Sequence, residues 1–137
     1  MINDPFDRDC PARQLMDFMG EKWVPAVLYR LRDGTLRPSD LTRRLPGISK
    51  KMLTQTLRNL ERWGLVRRKV YPVVPPRVEY SLTALGERFT EPIELLSEWA
   101  EVNQADVRKM TRRRIVRQTI DHELESAPFN PSKMNTR

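Results

Sequence analysis

Cysteine occurs once in the 137 residues, as Cys10, and histidine once, as His122. A single thiol excludes an internal disulfide framework and suits a reducing compartment, so a cytoplasmic location is expected. One Cys and one His far apart in the chain offer no nucleophile–base pair and no metal-ligand spacing. No enzymatic activity, no metal and no cofactor are therefore expected. No apolar run approaches the roughly 18 residues of a membrane span. The first eleven residues, MINDPFDRDCP, lack a basic n-region and an apolar h-region, so no signal peptide is expected either. Aromatic residues make up only 7% of the chain and apolar residues 39%. Such a core is lean but adequate for one domain, with elements left over for pairing.

Positive charge is present, and it is clustered. The formal net charge is +7. Residues 30–69 hold twelve Lys/Arg against three Asp/Glu, a local net of +9. Residues 1–29 and 70–100 are net acidic, at −2 and −3, and residues 101–137 carry +3. A basic patch supplies salt-dependent affinity for a polyanion.

The same stretch carries the most informative pattern. Ser49 is a good N-cap, Lys50–Arg62 contains no Gly or Pro, and Gly64 marks a stop. Leu53, Leu57 and Leu60 fall at i, i+4 and i+7 on one helical face. Lys51, Thr54, Gln55, Arg58 and Arg62 fall on the opposite face. Lys and Arg meet phosphates or guanine edges, and Gln pairs with adenine, so this face suits the major groove of duplex DNA. An acidic protein or an anionic membrane would not require Thr54 and Gln55 there. The deep, narrow major groove of double-stranded RNA does not admit such a helix.

Residues 37–45 read as a shorter helix, with Pro38 in its first turn and Leu41 and Leu45 as anchors. Pro46-Gly47 breaks it, and the two helices form a helix-turn-helix. Residues 67–72 and Arg77–Leu82 read as antiparallel strands, the second with Val78, Tyr80 and Leu82 alternating with polar residues. Three prolines in Pro72-Val73-Val74-Pro75-Pro76 stiffen the connection. A hairpin after a helix-turn-helix makes a winged helix. The expected class is mainly α with a small antiparallel β wing and additional N- and C-terminal dimerisation helices.

Around this unit, helices are expected at residues 12–19, 22–32, Ala84–Val102 and 103–125. A kink or break is expected at Pro92. Residues 35–37 are a candidate third strand. The long helix after Thr83 has little of its own domain to pack on, which points to a second copy. Residues 1–9 read as a flexible arm and 127–137 as a flexible tail. Cys10 lies near a helix N-terminus, where thiols become more reactive. It reads either as a sensor thiol or as a buried small hydrophobe.

Several of these residues form strings shared with a known family. They include Cys10-Pro11, Gly20-x-Lys22-Trp23, Leu45-Pro46-Gly47-Ile48-Ser49, Leu53-Thr54-Gln55-x-Leu57 and Gly64-Leu65-Val66. The longest is Pro75-Pro76-Arg77-Val78-Glu79-Tyr80-Ser81-Leu82-Thr83. The chain resembles the HxlR-type transcriptional regulators of bacteria and archaea, relatives of the MarR-like winged-helix proteins. The resemblance covers roughly residues 10–100. It implies a homodimer on a pseudo-palindromic operator, with residues 49–62 as recognition helix and Val73 to Arg77 as wing. Members repress or activate, and repressor is the expectation carried forward. In several members a cysteine matching Cys10 senses reactive electrophiles.

The expected domain organisation is a winged helix-turn-helix domain with dimerisation helices at 10–102 and a basic helical extension at 103–126. Lys51, Thr54 and Gln55 are the base-contact candidates. Arg43, Arg44, Ser49, Lys50, Arg58 and Arg77 are the phosphate candidates. Leu15, Phe18, Phe89, Ile93, Leu96 and Trp99 are the dimer-interface candidates. The effector is expected to be an electrophile at Cys10 or an apolar ligand between Phe18, Trp23 and Trp99. The competing reading is a winged-helix protein-interaction module without a specific operator. Two features depart from the family pattern. The extension after Glu101 is longer and more basic than usual, and Thr35-Leu36-Arg37 replaces an aromatic-bearing first strand.

Overall fold

Four side chains set the centre of the fold. Val24, Val27, Leu28 and Leu31 lie on one helix and are each at most 1% exposed. Burying each contributes about 1.5–3 kcal/mol relative to leaving it in water. A computed structural model describes Asp4 and residues 7–126 and orders them as α1 (Pro11–Met19), α2 (Val24–Leu31), α3 (Pro38–Arg44), α4 (Lys50–Arg62), β1 (Val66–Tyr71), β2 (Arg77–Leu82), α5 (Ala84–Val102) and α6 (Gln104–Ser126). The expected tail at 127–137 and part of the expected arm at 1–9 lie outside the described residues. Within that arm, Asp7 N–H donates to the Asp4 carbonyl and Cys10 N–H to the Asp7 carbonyl.

Helix α2 is shorter than the expected 22–32. Pro25 has no N–H to give the Glu21 carbonyl, which takes Val24 N–H instead in a turn at 3.2 Å. The helical ladder then starts with Val27 N–H to the Trp23 carbonyl at 2.9 Å. Leu41 of α3 and Leu53, Leu57 and Leu60 of α4 close over the α2 stripe. Trp23, Leu36, Trp63 and Phe89 pack around its edge.

The sheet is a two-stranded antiparallel hairpin, with Val66 opposite Leu82 and Tyr71 opposite Arg77. Pairing stops at Tyr71 because Pro72 cannot donate to a ladder. The expected third strand reduces to one bridge, in which Leu36 and Tyr80 exchange N–H···O bonds of 3.0 and 2.8 Å. Arg37 already leaves the sheet as the N-cap of α3, with Pro38 next in line. The fold is that of a winged helix-turn-helix.

Thr83 joins the wing to α5. Its hydroxyl donates to the Gly64 carbonyl at 2.6 Å and accepts from Gly86 N–H at 3.0 Å. Gly86 has no alternative, since a Cβ there would lie 2.0 Å from the Leu65 carbonyl oxygen. Arg32, after α2, reaches Glu94 of α5 at 3.1 Å, and that carboxylate raises the guanidinium pKa above its ordinary value. No break occurs at Pro92: α5 runs unbroken from Ala84 to Val102. Proline there removes the N–H that would bond the Arg88 carbonyl, while Ile93, next to it, is held in the core at 5% exposed.

The chain divides into two compact units, one ending at Leu96 and the other starting at Ser97. In the second, Asn103 separates the two helices. Its backbone N–H and its side-chain amide both donate to the Trp99 carbonyl, at 3.0 and 2.9 Å. Helix α6 follows for 23 residues with no buried side chain among those described. No helix among the described residues is long and apolar enough to cross a membrane.

Candidate nucleic-acid interface

Both ends of α4 are fixed by local chemistry. The Ser49 hydroxyl accepts from Met52 N–H at 3.0 Å, which satisfies one orphan donor of the first turn. At the other end Gly64 takes φ +75°, a conformation that suits glycine. Leu65 N–H then reaches the Leu60 carbonyl at 3.0 Å and Gly64 N–H the Glu61 carbonyl at 3.0 Å, closing a Schellman motif. The inner face is locked by Leu53, Thr56, Leu57 and Leu60. The opposite face is thereby forced outward.

That outer face is an open groove of about 580 Å³ lined by Lys50, Lys51, Thr54, Gln55, Arg58, Asn59 and Arg62. All of these except the half-buried Asn59 are exposed. Among the described residues none of the four cations on this face has an ion-pair partner. A row of uncompensated cations with amide and hydroxyl groups between them can meet phosphates and base edges together. The Thr54 hydroxyl donates to the Lys50 carbonyl at 2.9 Å, so its oxygen is left to accept from a base amino group. The Ser49 oxygen is engaged by the cap, and its hydroxyl proton can still donate to an acceptor. Asn59 was not among the sequence candidates. Its signal was the i+4 step from Gln55, obscured by the neighbouring core residue Leu60.

The flanking cations divide into free and held. Arg44 is exposed and makes no ion pair among the described residues. Arg43 pairs with Asp40, one turn back on α3. Asp40 also accepts Arg37 N–H at 3.1 Å, and these donors, the backbone N–H foremost, hold its pKa below the usual carboxylate value. On the wing, the Arg77 guanidinium lies over the Tyr71 ring at 4.2 Å, and its Nε stands 3.5 Å from Glu79. That Nε is buried without a hydrogen bond, so the Glu79 contact is an ion pair of poor hydrogen-bonding geometry. Tyr71 in turn donates its hydroxyl to Glu79 at 3.0 Å. The expected phosphate grip of Arg77 is thus partly matched within the wing. The register explains this, because Tyr71 and Arg77 are directly opposed and Glu79 shares their face. A second groove, about 540 Å³, runs between the wing and the start of α3, lined by Arg37, Pro38, Ser39 and Val73 to Val78. Val74 stands fully exposed at the wing tip. Arg67, Arg68 and Lys69 on β1 are exposed cations that the sequence candidates omitted.

Cys10 is the N-cap of α1 and is 3% exposed. Both sequence readings of this residue meet here, a helix N-terminus and a packed small side chain. Among the described residues no three His, Cys, Asp or Glu converge as metal ligands.

The dimer-interface candidates separate. Leu15, Phe18 and Phe89, with Trp63 and Leu85, line an apolar groove of about 260 Å³. Leu96 and Trp99 are each 58% exposed. Ile93 differs from expectation, because its side chain is already withdrawn from water in the core of its own chain. The expected aromatic cluster also differs. Phe18 meets Trp63 edge to face, with centroids 4.9 Å apart, rather than Trp23. Trp23 packs against the core with Lys22 over its ring, and Trp99 belongs to the second unit.

Comparison with known proteins yields a coherent set. A family model described as HxlR-like helix-turn-helix matches residues 18–108. The uncharacterized HTH-type transcriptional regulator YtfH of Escherichia coli is 46% identical over 102 residues, covering 74% of this chain and 81% of YtfH. Among solved structures, the redox regulator HypR in its reduced form superposes with a TM-score of 0.69 at 38% identity, covering 72% of this chain and 98% of HypR. The reduced transcriptional regulator YodB from Bacillus subtilis has a TM-score of 0.61 at 32% identity, covering 67% of this chain and 91% of YodB.

Proposed function

This chain belongs to the HxlR-like helix-turn-helix family of transcriptional regulators, and we propose that it acts as a homodimeric repressor on a pseudo-palindromic DNA operator. Helix α4 is the recognition helix. Lys51, Thr54 and Gln55 read base edges, joined by Asn59, whose amide has the same adenine-pairing geometry as that of Gln55. Arg44, Ser49, Lys50 and Arg58 hold phosphates. Arg43 and Arg77, restrained by Asp40 and Glu79, orient the start of α3 and the wing against the backbone. The observation that carries this reading is the outer face of α4, polar and basic along its length and free of ion pairs among the described residues. A winged-helix adaptor for another protein would need an apolar or acidic face at that position.

Two copies would set their α4 helices in successive major grooves, about 34–36 Å apart. The apolar groove at Leu15, Phe18 and Phe89, with the exposed Leu96, is the surface that the first unit offers to the second copy, and in the second unit the exposed Trp99 is a separate candidate contact. Cys10 is the proposed sensor of electrophiles. Support comes from HypR, solved in reduced and oxidized forms, and from YodB, solved after diamide treatment. Because Cys10 is buried, its reaction requires local opening of the α1 N-terminus.

Selection of bound duplexes from a random pool tests the reading. The expected product is a two-fold symmetric site with half-site centres one helical turn apart. Recovery of no preferred sequence at moderate salt overturns operator binding.

A further inference from the structure

We infer, on the footing of operator binding as proposed, that the basic half of α6 is a second DNA-binding surface, one that grips the phosphates of duplex on either side of the operator without reading sequence. Six cations, Arg108, Lys109, Arg112, Arg113, Arg114 and Arg117, fall within ten residues that hold no Asp or Glu. All six are exposed, and among the described residues none makes an ion pair. All but Arg108 lie beyond the stretch that the family model matches. The helix-turn-helix therefore does not account for them.

The charges oppose the helix that carries them. Arg108 with Arg112, Lys109 with Arg113, and Arg113 with Arg117 stand at i,i+4, where like charges destabilise a helix. The nearest carboxylates on α6 are Asp106 and Asp121, one beyond each end of the segment, and among the described residues neither forms an ion pair. A polyanion removes this repulsion, and duplex DNA matches its spacing. Six cations over a rise of about 14 Å make one per about 2.3 Å, close to the one phosphate per about 1.7 Å of duplex.

The distribution around the axis decides between polyanions. At about 100° per residue the six cations leave no gap wider than about 120°. Lys109, Arg113 and Arg117 fall on the same side as Met110, Val116 and Ile120, and Ile115 lies opposite, so α6 has no apolar face. An anionic membrane takes a helix by such a face. An acidic protein surface meets one side of a helix and leaves the other cations unmatched. A DNA groove admits a helix between two phosphate strands, and so answers cations on several sides. No Asn or Gln lies between 108 and 117, so the segment lacks the amides that read adenine. On the proposed reading the operator grooves are taken by α4 and the wing, which leaves α6 the backbone outside them. Once the operator is held, that backbone is presented at high effective concentration.

Salt-dependent binding by the full chain tests the assignment. One duplex is trimmed to the selected operator, a second adds about ten base pairs, one helical turn, of arbitrary sequence on each side, and a third is arbitrary throughout. One variant combines Arg112→Gln, Arg113→Gln and Arg114→Gln, residues that favour helix as arginine does. Each gripping cation lost should lessen the slope of log K against log salt by about 0.9, so two copies should lose about 5.4 on the extended duplex. On the trimmed duplex, which reports the helix-turn-helix alone, the slope should not change. Replacing the same three arginines by Lys keeps the charges and should keep the parent slope.

A decrease smaller than about 2 on the extended duplex overturns the proposal. So does an equal decrease on the trimmed duplex, or a Lys variant that loses as much as the Gln variant. An unchanged slope with an altered sedimentation coefficient assigns the cations to carboxylates of another chain and also overturns it. If no operator is recovered, the arbitrary duplex still scores the Gln variant, so failure of α6 and failure of operator recognition are told apart.

Discussion

Salt dependence separates the cations that grip DNA from those that brace the protein. Arg44, Lys50 and Arg58 are the three phosphate candidates per chain with no ion pair among the described residues. On the proposed reading, two copies would neutralise six phosphates. At about 0.9 per contact, log K should fall against log salt with a slope of about −5.4. Affinity then drops about 10³-fold between 50 and 200 mM salt. Arg58→Ala removes two contacts from the complex and should reduce the slope to about −3.6, with about a 10²-fold drop over the same range. Arg58 is exposed, so thermal stability should not change. Arg77→Ala should behave in the opposite way. Its guanidinium is matched by Glu79 and stacked on Tyr71, so its loss should change the slope less. The lost stacking should cost about 0.5–1 kcal/mol of stability, lowering Tm by about 2–4 °C. Fluorescence anisotropy across a salt series, paired with calorimetry, measures both quantities. An unchanged slope for Arg58→Ala, or a larger slope change for Arg77→Ala than for Arg58→Ala, would refute the division.

Three further predictions rest on other parts of the structure. Gly86→Ala drives a Cβ into the Leu65 carbonyl and should destabilise the first unit by about 3 kcal/mol in denaturant titration, whereas an unchanged midpoint contradicts the close approach. Asp40 has a folded pKa below its unfolded value, so its contribution is present above the unfolded pKa and is lost as pH falls through the folded one. Hydrogen exchange at the α3 N-terminus should therefore accelerate, relative to Asp40→Asn, as pH drops through and below the ordinary carboxylate range. Parallel pH dependence in both proteins would remove Asp40 as the cause. Cys10→Ser should keep operator affinity and lose release by a quinone or aldehyde, and continued release in that variant eliminates the thiol as sensor.

The limits of α4 were legible in the sequence because its stop signals are local. Ser49 caps within three residues, and Gly64 supplies the left-handed turn that ends the helix. Its outer face was legible for the same reason, since the period of Leu53, Leu57 and Leu60 dictates which side remains. Contacts made at long range were not legible. The Arg77–Tyr71–Glu79 brace depends on strand register, and the Thr83–Gly64 link joins residues nineteen apart. Ile93 and Trp99 share one helical pattern on α5, yet one is core and the other exposed. Periodicity identifies a face without saying whether the same chain or another covers it. Thr56, 6% exposed among the leucines of α4, shows the converse, a polar residue that the apolar period passes over.

The central claim is that the outward side chains of α4 read base identity in duplex DNA. Its most direct measurement is the affinity of Gln55→Ala and of the parent protein for the selected operator and for every single-base-pair variant of one half-site. The account predicts that discrimination worth about 1–3 kcal/mol disappears at one or two adjacent positions and persists elsewhere. Uniform weakening on all sequences, or an unchanged discrimination profile, would contradict it.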